Sequence, residues 1–133
     1  IGDGALSCID AATGKRVWIS KQVDRTMSTC SILDDLVYVS DYTGNLHCFD
    51  AETGQRYWVH ETKSPLWSST FAVDGKVFLG TENSELWVLQ TGKKKKVLNK
   101  IKLLEKMANT PTVANGVLYI ATGRYLYAIS AKK

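Results

Sequence analysis

Short apolar runs alternate along the chain with tight clusters of Gly, Asp, Asn and Thr, and the spacing is that of strands and turns rather than helices. Val37-Tyr38-Val39, Val77-Phe78-Leu79 and Leu118-Tyr119-Ile120 are aliphatic and aromatic runs, each entered through a two-residue turn at Asp34-Asp35, Asp74-Gly75 or Asn115-Gly116. Asp-Gly and Asn-Gly favour the positive φ that tight hairpin turns demand, so each run reads as the second strand of a hairpin. A third strand follows at Leu46–Phe49 and its counterparts. Thr13-Gly14, Thr53-Gly54 and Thr91-Gly92 then turn the chain into a fourth, ending at or just past Trp18 and Trp58. Between Val97 and Met107 the apolar residues at 97, 98, 101, 103, 104 and 107 come nearest to helical spacing. The position of that stretch after a third turn predicts an outer strand and a connecting loop instead.

The pattern recurs. GALSCIDAATGKRVW from Gly4 and GNLHCFDAETGQRYW from Gly44 lie 40 residues apart, and SELWVLQTGKKKKVL from Ser84 is a degraded third copy at the same offset. A fourth begins at Tyr125 as YLYAIS. A second unit recurs between them, from Ser28, Ser68 and Asn109. Four short strands in about 40 residues, repeated, are the signature of a propeller blade, which must pack on its neighbours because it cannot bury both faces alone. The expected fold is all-β: four-stranded antiparallel blades, about three of them, in one segment over 1–133 with repeats beginning near 4, 26, 66 and 107. The first copy supplies a third and fourth strand and the last stops after a third. Thirteen strands do not close a ring of four to eight blades. The chain is expected to be the C-terminal part of a larger propeller ending at Ala131, Lys132 and Lys133, or to close its ring with a second copy.

Composition adds bounds. The 133 residues are 44% hydrophobic, enough for one core, with no apolar run of about 18 residues to span a membrane and no basic, apolar leader. Net charge is +4, but Lys93 to Lys106 alone carries seven Lys and one Glu, so the remainder is slightly acidic. One basic element is a candidate polyanion patch, at Lys93, Lys94, Lys95 and Lys96; four consecutive lysines also protect a hairpin from edge pairing, and nucleic acid is not the expected partner. Cys8, Cys30 and Cys48 lack zinc-site spacing, and Cys8, Cys48, Val88 and Ala128 share one small, buried repeat position. His47 and His60 sit singly on strands and are expected to be structural. Trp67, entering a first strand, is expected in the core between blades.

The segments Cys8-Ile9-Asp10-Ala11-Ala12-Thr13-Gly14-Lys15-Arg16-Val17-Trp18 and Cys48-Phe49-Asp50-Ala51-Glu52-Thr53-Gly54-Gln55-Arg56-Tyr57-Trp58 resemble the tryptophan-docking motif of PQQ-type β-propellers. WD-repeats would need Gly-His early and Trp-Asp late. The resemblance implies that the Trp of one blade packs on the Gly turn of the next, making Gly14, Trp18, Gly54 and Trp58 structural docking residues with Asp10 and Asp50 as turn caps. An indole can lie flat on a glycine turn, and an aspartate can accept the turn's free amides. The third copy has Gln90 for Asp and Leu98 for Trp, so weaker docking is expected there.

The family includes quinoprotein dehydrogenases, whose PQQ and calcium lie over the propeller axis, and BamB-like envelope scaffolds. The adjacent Cys pair that the larger dehydrogenases hold against their cofactor has no counterpart here. The expectation is a non-catalytic binding or assembly scaffold with a protein partner, in the periplasm or cell envelope, with no catalytic, cofactor or metal residue in this chain. The alternatives are a C-terminal dehydrogenase fragment, which would take PQQ with calcium, and a polyanion-binding module.

Overall fold

The computed structural model describes residues 3–130, which form thirteen strands. β1 (Leu6–Ile9) and β2 (Arg16–Ser20) make a two-stranded sheet. β3 (Ser31–Leu33), β4 (Leu36–Ser40), β5 (Asn45–Asp50) and β6 (Arg56–Glu61) make a four-stranded one. A second four-stranded sheet contains β7 (Phe71–Val73), β8 (Lys76–Gly80), β9 (Glu85–Gln90) and β10 (Val97–Lys102), and β11 (Thr112–Ala114), β12 (Val117–Ala121) and β13 (Leu126–Ser130) make a three-stranded one. Strands pair antiparallel with their chain neighbours, giving a partial β-propeller of successive blades. Ala131 to Lys133, expected to end the last blade, lie outside the described residues.

The inner hairpins form for the reason the sequence suggests. Both central residues of each turn have positive φ: Asp34 (51°) and Asp35 (58°), Asp74 (49°) and Gly75 (70°), Asn115 (53°) and Gly116 (74°). Short polar side chains tolerate this left-handed region, and the resulting turn matches the right-handed twist of the flanking strands.

Because successive side chains point to opposite faces, each inner strand serves two junctions. Tyr38, Leu46, Cys48 and Trp58 of the second sheet pack on Leu66, Val77, Leu79 and Leu89 of the third. Phe78, Leu86 and Val88 meet Met107 and Ile120 of the fourth. On its other face the second sheet offers Val37, Val39 and Phe49 to Val23 and Leu6. The sheets approach closely where β8 ends: a Cβ on Gly80 would lie 2.5 Å from that of Met107.

Hydroxyls tie the inner strands together. Ser40 Oγ and Ser28 Oγ are 2.8 Å apart, Ser40 Oγ donates to the Ser68 carbonyl (3.2 Å), and Ser68 Oγ donates to the Gly80 carbonyl (2.8 Å). Ser31 Oγ donates to the Thr70 carbonyl at 2.7 Å, and Thr70 Oγ1 donates to the Tyr38 carbonyl at 3.0 Å. The recurring Ser28 and Ser68 thus bond carbonyls of their own blades, while Ser31, Ser40 and Thr70 satisfy carbonyls across the junction.

The register corrects two sequence assignments. Trp18 stands opposite Cys8 and Trp58 opposite Cys48, but the residue opposite Val88 is Asn99, not Leu98. The reason is one extra residue in the third turn: Asp50 N–H donates to the Gln55 carbonyl, whereas Gln90 N–H reaches the Lys96 carbonyl. A fixed offset of 40 fails inside that hairpin. Ala128, expected to be buried with Cys48 and Val88, is exposed because the described residues place no further blade against its face.

Candidate interaction surface

The docking turns are built from their own polar residues. Asp10 Oδ1 accepts from Thr13 N–H (2.6 Å) and Thr13 Oγ1 (2.7 Å), and these bonds, the hydroxyl's foremost, hold its carboxyl below the ordinary value. Asp50 Oδ1 accepts from Thr53 N–H (2.9 Å) and Thr53 Oγ1 (2.9 Å), and Oδ2 from the Tyr57 hydroxyl (2.7 Å). The Tyr57 bond is the main reason that Asp50 is lowered to about 2, with Thr53 second. Gly14 and Gly54, at φ 70° and 74°, close the two turns by donating to the Asp10 and Asp50 carbonyls.

Trp18 lies against Gly54, where a Cβ would fall 2.6 Å from the indole, and its Nε1–H donates to the Ala51 carbonyl at 2.9 Å. Trp58 reaches the next turn, donating to the Gly92 carbonyl at 2.8 Å. Gly92, at φ 135°, also donates its N–H to the Tyr38 hydroxyl at 2.9 Å. Burial drives both Tyr38 and Cys48 up to about 12, so the Cys48 thiol is a small packing group and not a nucleophile. Around Gly14 a Cβ would meet nothing within 4 Å.

The lysine turn is partly committed to the same junction. Lys93 Nζ sits 5.0 Å from the Tyr57 ring centroid, and Lys95 Nζ donates to the Val59 carbonyl at 3.1 Å. All four lysines are exposed. Farther along β10, Lys100 lies over Trp87 (4.9 Å) and pairs with Glu85 (3.1 Å). Of the four consecutive lysines, Lys93 and Lys95 thus touch the preceding blade.

The opposite ends of the sheets carry residues that sequence reasoning missed. Asp41, buried at the start of the β4–β5 turn, accepts from His47 Nε2 (2.8 Å), Asn45 N–H (3.0 Å) and Thr43 Oγ1 (2.8 Å). Burial opposes its charge, yet those bonds keep its carboxyl below the ordinary value. His47 leaves Nδ1 without a partner, against Phe49. A separation of six residues carries no periodic signal, which is why the pair escaped notice. His60 is buried edge-on to Trp87 (4.6 Å between centroids), and burial, with Lys95 second, lowers its pKa.

Loops entering each blade clasp the turn between its second and third strands. Thr43 Oγ1 donates to Asp24 (3.3 Å), Asn83 N–H to Ser64 (3.1 Å) and Arg124 N–H to Glu105 (2.8 Å). On this loop face Trp67 is not inter-blade core. It is 37% exposed and edge-on to Tyr42 at 5.2 Å. The equivalent Met107 is fully buried over Gly80, whereas the repeat equivalent of Gly80 in the preceding blade is Ser40, which bears a side chain.

Among the described residues no helix is long and apolar enough to cross a membrane, and no three His, Cys, Asp or Glu side chains converge to hold a metal. BamB from Moraxella catarrhalis is similar over 90% of this chain at 25% identity and a TM-score of 0.77. The computationally designed Ika4 protein matches 98% of this chain and 81% of its own, at 13% identity and a TM-score of 0.81. A quinohemoprotein alcohol dehydrogenase, ADHIIG from Pseudomonas putida HK5, matches 89% of this chain and 25% of its own, at 17% identity and a TM-score of 0.70. The last two likenesses are of fold. The chain spans 37% of the length of the BamB structure. A search of curated proteins finds no match. The family model described as outer membrane protein assembly factor BamB, of the PQQ type, matches residues 2–97, nearly three quarters of the sequence, and the chain belongs to that family.

Proposed function

We propose that the chain is part of a non-catalytic β-propeller scaffold that binds a protein partner in the cell envelope. The observation that carries this reading is how the recurring carboxylates are used. Asp50 and Asp41 spend both oxygens on nearby amides, hydroxyls or an imidazole, and Asp10 spends Oδ1 on the amide and hydroxyl of Thr13. Groups so engaged serve the blades and are poorly placed to act as a base or a calcium ligand. The loop face, with Trp67 exposed and edge-on to the half-buried Tyr42, supplies an aromatic surface of the type that protein interfaces favour. Membership of the BamB family supports the envelope setting.

Tryptophan docking is the second element of the proposal: Trp18 on Gly54 and Trp58 on Gly92 hold the loop face rigid by locking successive blades. The test is spectral titration with PQQ and calcium followed by dye-linked oxidation of alcohols or aldoses. The scaffold reading expects neither saturable binding nor turnover. Stoichiometric binding with turnover replaces it by the dehydrogenase reading.

A further inference from the structure

The junction between the second and third sheets buries a histidine whose Nε2 has no hydrogen-bond partner. His60 is 9% exposed, and its ring stands edge-on to Trp87 of the next blade, 4.6 Å between centroids. Both sheets at this junction have four strands, so the contact lies wholly within the chain. It also lies beside the lysine turn: Lys95 Nζ donates to the carbonyl of Val59, the residue before His60, at 3.1 Å. Lys95 thus fastens the turn of the third blade to the outer strand of the second at the point where the imidazole is packed.

A neutral imidazole suits this site. Protonation puts an N–H on both ring nitrogens and a charge in a buried place, which is costly unless an acceptor is near. The elements around the ring do not supply one. β5 sets Leu46 opposite His60, and β9 sets Trp87 against it. Glu85 of β9 has both carboxylate oxygens engaged, Oε2 with Trp87 Nε1–H at 3.2 Å and Oε1 with Lys100 of β10 at 3.1 Å. Glu61, the next residue of β6, points to the other face of its sheet. The charge that acts on the ring is Lys95 in the turn, and it is of like sign; burial first, then Lys95, holds the pKa below the ordinary 6.5.

The two groups are unequally held. His60 is packed against Trp87, whereas Lys95 is exposed and can exchange a carbonyl for water at little cost. We propose that protonation of His60 releases Lys95 from the Val59 carbonyl, so that this junction is a pH-sensitive clasp, closed over a neutral imidazole and open at its lysine turn in mildly acidic solution. Linkage makes the coupling reciprocal: Lys95 opposes the proton as strongly as the proton opposes Lys95.

The experiment is an NMR titration of the 133-residue chain from about pH 8 to about pH 5, following the His60 ring protons and the backbone amides of Gly92 to Lys96. Ring and turn are expected to move together with one midpoint. In His60→Gln the turn amides no longer respond over that range. Lys95→Gln, an exposed change that leaves the fold intact by circular dichroism, shifts the His60 midpoint upward. Lys94→Gln, the same loss of charge one residue away, shifts it less. The proposal is overturned by turn amides that stay still while His60 titrates or still titrate in His60→Gln, by a midpoint that Lys95→Gln leaves in place, or by one that Lys94→Gln moves as far. The titration involves no partner or cofactor, so its outcome is separate from that of the scaffold reading.

Discussion

Trp58 donates its indole N–H to the carbonyl of Gly92, 34 residues ahead and in the next blade, at 2.8 Å. Trp18 makes the corresponding bond to Ala51, at 2.9 Å. The two acceptors are not repeat equivalents: the later turn has been reshaped, and the indole has kept its bond by choosing another carbonyl.

Removing the indoles should therefore be costly, and unequally so. Trp58→Ala, at a buried site, is expected to lose about 3–5 kcal/mol in urea unfolding. Trp18→Ala, half-buried on an incomplete sheet, should lose less. Equal losses, or a Trp58→Ala loss under about 1 kcal/mol, would contradict a locking role.

The two turn glycines should separate backbone from packing. Gly14 and Gly54 share the same left-handed conformation, so an added methyl costs each about 1–2 kcal/mol. At Gly54 the methyl would also strike the Trp18 ring, whereas at Gly14 it meets nothing. Gly54→Ala should be the more destabilising in thermal melts, and Trp18→Ala in the same chain should shrink the gap.

Most of the architecture was legible because propeller blades write their turns into the sequence. Asp74-Gly75 and Asn115-Gly116 fix the hairpins by backbone conformation, and the 40-residue recurrence supplies the strand count. What escaped was whatever depends on length changes or on contacts without a period. Asn99 takes the docking position because the third turn gained a residue, and Asp41 finds His47 only once the β4–β5 turn brings the two together. Trp67 was misjudged for a third reason: burial of an entering-loop residue depends on the small residue it meets, Gly80 for Met107.

Asp41 should dominate the acid limb of stability. Its carboxyl is depressed in the folded state, so its contribution is complete above the unfolded value of 3.8 and is lost as pH falls below that. Asp41→Ala, which strands the buried His47 and the amide of Asn45, is expected to cost about 3–5 kcal/mol at neutral pH. Asp41→Asn should cost less and should flatten the stability profile below pH 3.8. An unchanged acid limb would show that the protons are taken up elsewhere.

His60 should act on the neutral side. Burial first, then Lys95, lowers its pKa beneath the unfolded 6.5, so the unfolded chain binds the proton more readily. Its contribution is present above pH 6.5 and declines as pH falls through and below that value. His60→Gln is expected to remove this part of the slope in denaturation series from pH 8 to pH 5, roughly the range in which histidine titrates. A variant whose slope matches the parent's would assign the effect to another group.

The extra residue between Gln90 and Lys96 has a further meaning. It lengthens one hairpin, yet β9 and β10 are back in step by Trp87 and Lys100, and Trp58 still finds its carbonyl. An insertion there is absorbed within a few residues and is not passed on to the next blade. The Lys93–Lys96 hairpin thus tolerates a change of length while Lys93 and Lys95 keep it fastened to Tyr57 and Val59 of the preceding blade, so length and docking are separately encoded in this turn.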